Sequence, residues 1–256
     1  MKLWKKQNSM KISIFTSMTN PEERMDPWKE SLSCYEDFSD ELIVVGENWD
    51  YEFNWVKIGN VFQEGFNKCS GDWVIRMDLD YFFHENDLNV LRESLEKFKG
   101  SPAITFSKHQ FFTPDRYDLK SKICIAFNKR LYPDIKLNGG GDLCQPTLNG
   151  VEILPESMPE ISVPIWNYDT VFRTKEVISK DRARFARAYN RHFQDWGKGR
   201  GTPEEAFDAW FKMIKSRYKL HNKYTEIDEH PKYIKQKLKN LNPNQFGYNA
   251  FGLKKN

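Results

Sequence analysis

Apolar and polar residues alternate in blocks over the first 100 residues, and the blocks predict strands and helices in turn. Three runs rich in β-branched and aromatic residues predict buried strands: KISIFT (11–16), ELIVVGEN (41–48) and DWVIRMDLD (72–80). Apolar residues at helical spacing predict helices over three further stretches: 28–38, NVFQEGFNKCSG (60–71) and HENDLNVLRESLEKFKG (84–100). NWVKIG (54–59) is interpreted as a short additional strand. This order predicts an α/β sandwich with a mostly parallel central sheet.

The pattern changes after residue 100. PAITFSKHQFF (102–112) and KICIAFNKRLY (122–132) predict strands joined by a polar loop that contains Pro114. A Gly-rich loop follows at 135–150, and because no helix signal comes after it, we do not interpret it as a phosphate-binding loop. The last third is predicted to be helical, with Thr202 as N-cap and Glu205 closing a capping box. The final residues, from about 240, are predicted to be loop-like.

Charge is unevenly distributed, although the net charge is only +3. Residues 212–256 contain 11 Lys or Arg against 3 Asp or Glu. Such a segment suits contact with an acidic membrane surface or a phosphorylated substrate, and a solvated basic helix without a partner is the alternative. Nucleic acid is not expected as a partner, because no RNP-like or helix-turn-helix signature is present.

Cysteine spacing and hydropathy bear on the compartment. The four cysteines are widely spaced and form no CxxC pair. This spacing is typical of small buried cysteines in a protein of a reducing compartment. No apolar run approaches the ~18 residues of a transmembrane helix. We therefore expect a cytoplasmic protein.

Asp78 and Asp80 stand at the end of an apolar predicted strand, where packing gains nothing from them. Like charges close together repel and cost desolvation energy, so a cation is expected nearby. A turn at Leu79 would bring both carboxylates to one region, and carboxylate oxygens suit Mg²⁺ or Mn²⁺, which can bridge a diphosphate. The alternative is that the pair caps the helix that follows.

The stretch from about 11 to 100 resembles the nucleotide-binding half of a GT-A fold glycosyltransferase of the family 2 type. The resemblance is carried by ISIFTSMTNPEER, ELIVVGENWD, NVFQEGFNKCSGDW and VIRMDLD, in this order. It implies that Thr16 and Glu47, with Asp50 as an alternative to Glu47, contact the base or ribose of a UDP-type donor. It also implies that Asp78 holds the ribose or metal, and that Asp80 holds the metal and diphosphate.

The resemblance further implies residues outside the aspartate pair. The family's Arg in the second helix is missing here, so Gln63 or Asn67 must take its place. An inverting transferase needs a carboxylate base well downstream, for which Asp169 is the first candidate and Asp142 in the Gly-rich loop the rival. His192 and His221 are candidate third metal ligands, with an ordinary surface or helix histidine as the alternative.

A basic stretch in the last third is a candidate for holding the diphosphate, with a solvated helix face as the alternative. Its members are Arg182, Arg184, Arg187, Arg191, Lys198 and Arg200. By the same resemblance, residues 1–175 form the catalytic domain. Its nucleotide-binding half covers about 10–100 and its acceptor half about 101–175. A helical, basic extension over 176–256 packs on it.

The sequence therefore favours a metal-dependent glycosyltransferase of the hexosyltransferase class. It would move a sugar from a nucleotide-diphosphate donor, with Mn²⁺ or Mg²⁺, to a glycan, lipid-linked or small-molecule acceptor. A nucleotidyltransferase of similar fold is one alternative, but it usually carries a Gly-rich basic loop after the first strand, and SMTNPEER has no glycine. A non-catalytic nucleotide- or glycan-binding module is the other.

Overall fold

The computed structural model describes residues 10–46, 52–139, 144–197, 200–220 and 223–254. The strands are β1 (Ile12–Ser17), β2 (Glu41–Val45), β3 (Trp73–Arg76), β4 (Tyr81–Phe82), β5 (Ala103–Thr113), β6 (Arg116–Asn128), β7 (Lys136–Asn138), β8 (Gln145–Leu148), β9 (Val151–Glu152), β10 (Glu160–Asn167) and β11 (Lys223–Tyr224). The helices are α1 (Trp28–Phe38), α2 (Trp55–Lys68), α3 (Leu88–Lys97), α4 (Lys175–Phe193), α5 (Pro203–Leu220), α6 (Lys232–Lys239) and α7 (Phe246–Asn249).

A central sheet runs in the order β2-β1-β3-β6-β5-β10-β4, with β11 beside β6. β1 pairs in parallel with β2 and β3, and β10 pairs in parallel with β5. β6 is antiparallel to β3 and β5, and β4 is antiparallel to β10. A smaller sheet, β7-β8-β9, lies outside it. The predicted α/β class is confirmed.

Helices cover both faces of the sheet. Successive side chains of a strand point to opposite sides, so a strand with apolar residues in both sets needs a cover on each face. Ile12 and Ile14 of β1 pack with buried residues of α1, α3 and α6. Phe15, which follows Ile14 and so points to the opposite face, packs with Phe62 and Phe66 of α2. β1 is thus buried on both sides, which explains why large apolar side chains occur on both of its faces.

The carboxyl-terminal segment is packed, which corrects the prediction of a loop-like tail. Phe246 and Ala250 are fully buried, in a cluster with Phe207 and Trp210 of α5. The sequence signal was weak because α7 has only four residues, too few to show helical periodicity. Burial against α5 therefore orders a segment whose own pattern predicts little.

Two other predicted elements differ from the structure. NWVKIG is the start of α2, where the side chain of Asn54 accepts a hydrogen bond from the Lys57 backbone N–H at 3.0 Å as N-cap. The polar loop around Pro114 is a tight hairpin turn, since β6 begins already at Arg116. At α2 a single capping side chain decides the structure, whereas at the hairpin the polar residues after Asp115 pair with β5 as part of β6.

Candidate functional site

A cavity of about 250 Å³ lies beyond the carboxyl ends of β1, β3 and β10. In open α/β sheets this edge is where ligands bind. Ser17 ends β1, Thr19 follows it, and Asn167 ends β10. Five aspartates line the cavity: Asp26, Asp78, Asp80, Asp169 and Asp181. So many carboxylates in so small a space must be balanced by cations.

Helix α1 fixes the backbone turn that carries the first two aspartates. The Tyr35 hydroxyl donates to the carbonyl oxygens of Asp78 and, at 2.9 Å, of Tyr81. The Ser31 hydroxyl donates to the carbonyl oxygen of Leu79. The Tyr81 N–H closes the turn on the Asp78 carbonyl at 2.9 Å. These buried bonds hold the backbone in the turn expected at Leu79, and both aspartates line one cavity.

The two aspartates of the turn differ in their partners. Asp78 pairs with Arg76, whose side chain is buried and stacks over the Phe62 ring at 4.8 Å. Asp80 instead accepts a hydrogen bond from the Asn167 amide, at 2.7 Å. An amide offers no positive charge, so the two carboxylates sit in different electrostatic surroundings.

Asp80 is the carboxylate whose ionisation is most strongly disfavoured. Burial, and then repulsion from Asp169, Asp78 and Asp26, raises its pKa to about 8. Arg173 opposes this shift but does not overcome it. At neutral pH the site therefore favours a proton, or another cation, at Asp80.

Arg173 neutralises the other side of the cavity from a buried position. Its guanidinium contacts Asp26 at 2.6 Å, Asp169 at 2.9 Å and Asp181 at 3.2 Å. Its side chain is 2% exposed. Its Nε–H donates to the Arg24 carbonyl at 3.0 Å. Such a fork can serve several carboxylates at once, which a lysine cannot do with the same geometry.

Asp169 follows β10 and is held by two arginines. One carboxylate oxygen accepts from Arg173, and the other accepts from Arg182 of α4. Burial acts to raise the pKa of Asp169, but the attraction of Arg182 and Arg173 outweighs it, so the pKa lies below its ordinary value. Asp169 is therefore ionised at neutral pH, in contrast to Asp80.

The loop between β1 and α1 brings Arg24 and Asp26 to this cluster. Arg24 contacts Asp26 at 3.0 Å and Asp181 at 2.7 Å. Met25, between them, has φ of 57°, a left-handed conformation that is uncommon for a residue with a side chain. The ion pairs on both sides of Met25 explain how this conformation is maintained.

Four residues implicated by sequence lie away from the cavity lining. Thr16 is fully buried within β1. Gln63 accepts from the Leu137 N–H at 2.8 Å, which links α2 to β7, and it donates to Asn67 of the same helix at 2.9 Å. His192 stacks on the Trp55 ring at 5.4 Å. Glu47, Asp50, Asp142 and His221 lie outside the described residues.

Several lining residues were not identified from the sequence. Among them are Ser17, Thr19, Lys108, Gln110 and Asp181. Ser17 and Thr19 could have been found as polar residues just past the predicted strand 11–16. Asp181 gives no such signal, because it lies in the middle of a helix whose charged sequence is typical of a solvated surface.

The basic stretch has four arginines on α4, and these are divided between two places. Arg182 lines the cavity, and Arg184 contacts Asp181 at 3.0 Å. Arg187 and Arg191 instead pair with Glu52, on a more exposed part of the surface. Lys198 lies outside the described residues. The interpretation of the stretch as a solvated face is therefore wrong for Arg184, which is buried.

The carboxylate oxygens of the cavity suit a hard cation that takes its remaining ligands from water or a bound phosphate. Within the described part of the chain, no three His, Cys, Asp or Glu side chains are grouped so that they could hold a metal ion. Asp78 and Asp80 provide two carboxylates, and Mg²⁺ is commonly held by one or two carboxylates together with substrate phosphates. The raised pKa of Asp80 is the local sign of unbalanced negative charge. The pair fits a cation shared with a phosphorylated ligand.

The chain is thus an α/β protein with an acidic cavity at the edge of its sheet. Two solved structures were found to be similar to it. Residues 1–349 of TarS from S. aureus, in complex with UDP-GlcNAc, are 13% identical, with a TM-score of 0.40, covering 82% of this chain and 81% of that chain. A mannosyltransferase from Pyrobaculum calidifontis, PcManGT, in complex with GDP-Man and Mn²⁺, is 13% identical, with a TM-score of 0.40, covering 80% of this chain and 70% of that chain. Similarities of this size do not establish a common fold. Neither a protein-family model nor a curated protein sequence matches the chain.

No helix of the described residues combines the length and the apolar character needed to cross a bilayer.

Proposed function

We propose that the chain is a GT-A-type glycosyltransferase, related to family 2 and of the hexosyltransferase class, which moves a sugar from a nucleotide-diphosphate donor to an acceptor hydroxyl. The observation that carries the proposal is the meeting of Asp78, Asp80 and Asp169 in one cavity at the carboxyl edge of the sheet. The sequence resemblance over residues 11–100 supplies the reaction class. Fold alone would not, since one fold supports many activities.

Asp78 and Asp80 are the residues that would hold Mn²⁺ or Mg²⁺ and, through it, the donor diphosphate. The bound cation supplies neutralisation of the negative charge that develops on the leaving diphosphate. Asp80 must lose its proton to act as a ligand, so its raised pKa makes metal binding release a proton. Arg76, buried beside Asp78, holds that carboxylate in place.

Asp169 is our candidate base for an inverting transfer. It would accept the proton of the acceptor hydroxyl while that oxygen bonds to the sugar carbon and the diphosphate leaves. Its arginine partners keep it ionised, which a proton acceptor requires. They also weaken its basicity, so the hydroxyl must become acidic as its oxygen bonds to the sugar. Asp142 is the rival base and lies outside the described residues.

The donor is proposed to be of the UDP type, with Thr16, Glu47 or Asp50, and Gln63 or Asn67 assigned to it by resemblance alone. Ser17 and Thr19 are better placed for hydrogen bonds to the nucleotide, because they line the cavity and Thr16 does not. The acceptor is a glycan, lipid-linked or small molecule. We also propose that the catalytic domain covers residues 1–175 and that residues 176–256 are an extension. The extension contributes Asp181 and Arg182 to the cavity.

A thermal-shift titration with UDP- and GDP-sugars, with and without Mn²⁺, tests the proposal. A ligand that binds only the folded state raises the free energy of unfolding, by about 2.7 kcal/mol at a concentration of 100 times its Kd, and so raises the unfolding temperature. We expect a nucleotide-sugar to stabilise the wild-type protein in Mn²⁺. We also expect the protein to hydrolyse that donor slowly to nucleoside diphosphate and free sugar, with water taking the place of the acceptor. Asp80→Ala should lose both effects.

Glu176→Gln is the matched control, because Glu176 is an exposed carboxylate of α4 whose partner is Lys180. It should behave as the wild type. Equal donor turnover by Asp80→Ala and wild type would contradict the assignment of the aspartate pair, and no shift with any nucleotide would contradict the proposed function.

A further inference from the structure

A second cavity, of about 410 Å³, lies between α4 and α5 and adjoins the carboxylate cavity. The two cavities share Arg182 and Phe185 in their walls. A ligand could therefore have one end in the second cavity and the other near Asp169, the partner of Arg182.

The walls of the second cavity are apolar, apart from Arg182. Of the described residues that line it, Arg182 alone carries a charge. Trp210 and Met213 of α5 and Tyr189 of α4 face this space, and Trp196 lies at its rim, 40% exposed. Such a lining favours an apolar ligand, because polar groups would lose water without gaining partners.

Small residues leave this space open. Ala186 of α4 and Ala206 and Ala209 of α5 line the cavity, and their short side chains leave the space between the helices unfilled. The cavity is partly open to solvent, because its lining includes the exposed residues Trp196 and Gly197. An apolar ligand that displaced water from these walls would gain hydrophobic free energy. The cavity of about 410 Å³ accommodates roughly a dozen non-hydrogen atoms, if each takes about 30 Å³, the volume of a water molecule in the liquid.

Arg182 marks the polar end of this space. Its guanidinium lies over the Trp210 ring at 5.6 Å and contacts Asp169. Its Nε–H is buried and has no hydrogen-bond partner among the described residues. A buried unpaired donor is costly, and an oxygen at the junction of the two cavities would satisfy it.

From this geometry we propose that the second cavity binds the apolar body of the acceptor, an alcohol whose hydroxyl reaches Asp169 past Arg182. The role of this ligand as acceptor rests on the proposed function. The existence of an apolar binding site rests on the cavity alone. It narrows the acceptor to an alcohol carried on an aliphatic or aromatic body, in place of a fully polar sugar.

Isothermal titration calorimetry of the full chain tests binding separately from transfer. The probes are 1-decanol for an aliphatic body, 2-naphthaleneethanol for an aromatic body and methyl glucoside as the polar comparison. We expect at least one apolar alcohol to bind at least tenfold more tightly than methyl glucoside. The tighter of the two apolar probes identifies the kind of body.

Ala209→Phe should fill the cavity from α5 and weaken binding of the apolar alcohol at least tenfold. Asp208→Phe is the matched control, since it adds the same ring at an adjacent, exposed position that does not line the cavity. It should bind the alcohol as the wild type does. Circular dichroism melting checks that both variants fold.

Three results would overturn the proposal: no apolar alcohol binds the wild type, methyl glucoside binds as tightly as the apolar alcohols, or folded Ala209→Phe binds as the wild type does. Donor turnover without alcohol binding would refute the cavity assignment and leave the proposed function standing. Alcohol binding by a protein that turns over no nucleotide-sugar would refute the proposed function and the acceptor role, while the apolar binding site remained.

Discussion

Asp80→Asn should stabilise the metal-free protein, and by more at pH 8 than at pH 5. The carboxylate of Asp80 is crowded by Asp169, Asp78 and Asp26, and burial and this repulsion raise its pKa to about 8. Asparagine removes the charge, and its carbonyl oxygen can still accept the hydrogen bond that Asn167 donates to Asp80 at 2.7 Å. The substitution thus relieves a repulsion without unpairing a buried donor.

The magnitude follows from proton linkage. The folded-state pKa of about 8 lies above the ordinary value of 3.8, so between these values the folded protein binds more protons than the unfolded chain. Its stability therefore falls as the pH rises through this range, by about 1.4 kcal/mol per pH unit for one proton. From pH 5 to pH 8 the carboxylate costs up to about 4 kcal/mol, a cost that the asparagine variant does not bear.

Urea unfolding at pH 5, 6, 7 and 8, in a buffer with chelator, measures the difference between variant and wild type. Other groups titrate in both proteins and cancel in the difference to first order. Glu176→Gln, which removes an exposed carboxylate, should show no such trend. Parallel stability curves for Asp80→Asn and wild type across this range would refute the electrostatic reasoning. Added Mn²⁺ should stabilise the wild type at pH 8 and leave Asp80→Asn unchanged.

Three further predictions concern other parts of the molecule. Asp169→Asn should keep donor affinity but slow transfer by about 10²- to 10⁴-fold, and unchanged transfer would move the base elsewhere. Arg173→Met should lower the free energy of urea unfolding by about 3–5 kcal/mol, because buried carboxylates lose their shared partner; a loss under 1 kcal/mol would contradict this. Gly65→Ala should destabilise by about 1–3 kcal/mol, because its Cβ would lie 2.3 Å from a Phe15 ring carbon, while Gly100→Ala, with open space around it, serves as control.

The sequence predicted those parts of the fold whose signals are local. The apolar runs of β1 and β3 and the helical spacing in α1 each depend on neighbouring residues. β1 and α1 match the prediction, and β3 occupies Trp73–Arg76, the first half of the predicted strand 72–80. The N-cap at Thr202 was predicted in the same way, and its hydroxyl accepts from the Glu205 N–H at 3.4 Å. The tail after residue 240 and the start of α2 were misassigned, because tertiary packing and a single capping side chain decide them.

The ion cluster around Arg173 could not be predicted from the chain order. Asp26 and Arg173 are 147 residues apart in sequence, and Arg24 and Asp181 are 157 apart. A charged residue on a predicted helix looks the same whether it faces solvent or a buried carboxylate. Burial, which only the assembled fold determines, turned part of a basic helix into the wall of the cavity.

The pairing of Asp78, in contrast, had a signal in the sequence. Residues two apart on an extended segment lie on the same face, so Arg76 is the natural partner of Asp78, and the structure pairs them. Asp80 lies within the turn, past the end of β3, and accepts its hydrogen bond from the neutral amide of Asn167. The two aspartates of the motif are therefore unequal: one is neutralised by the protein, and the other remains unbalanced. A site that keeps one carboxylate unbalanced destabilises the empty protein and favours a bound cation, which is how a protein exchanges stability for function.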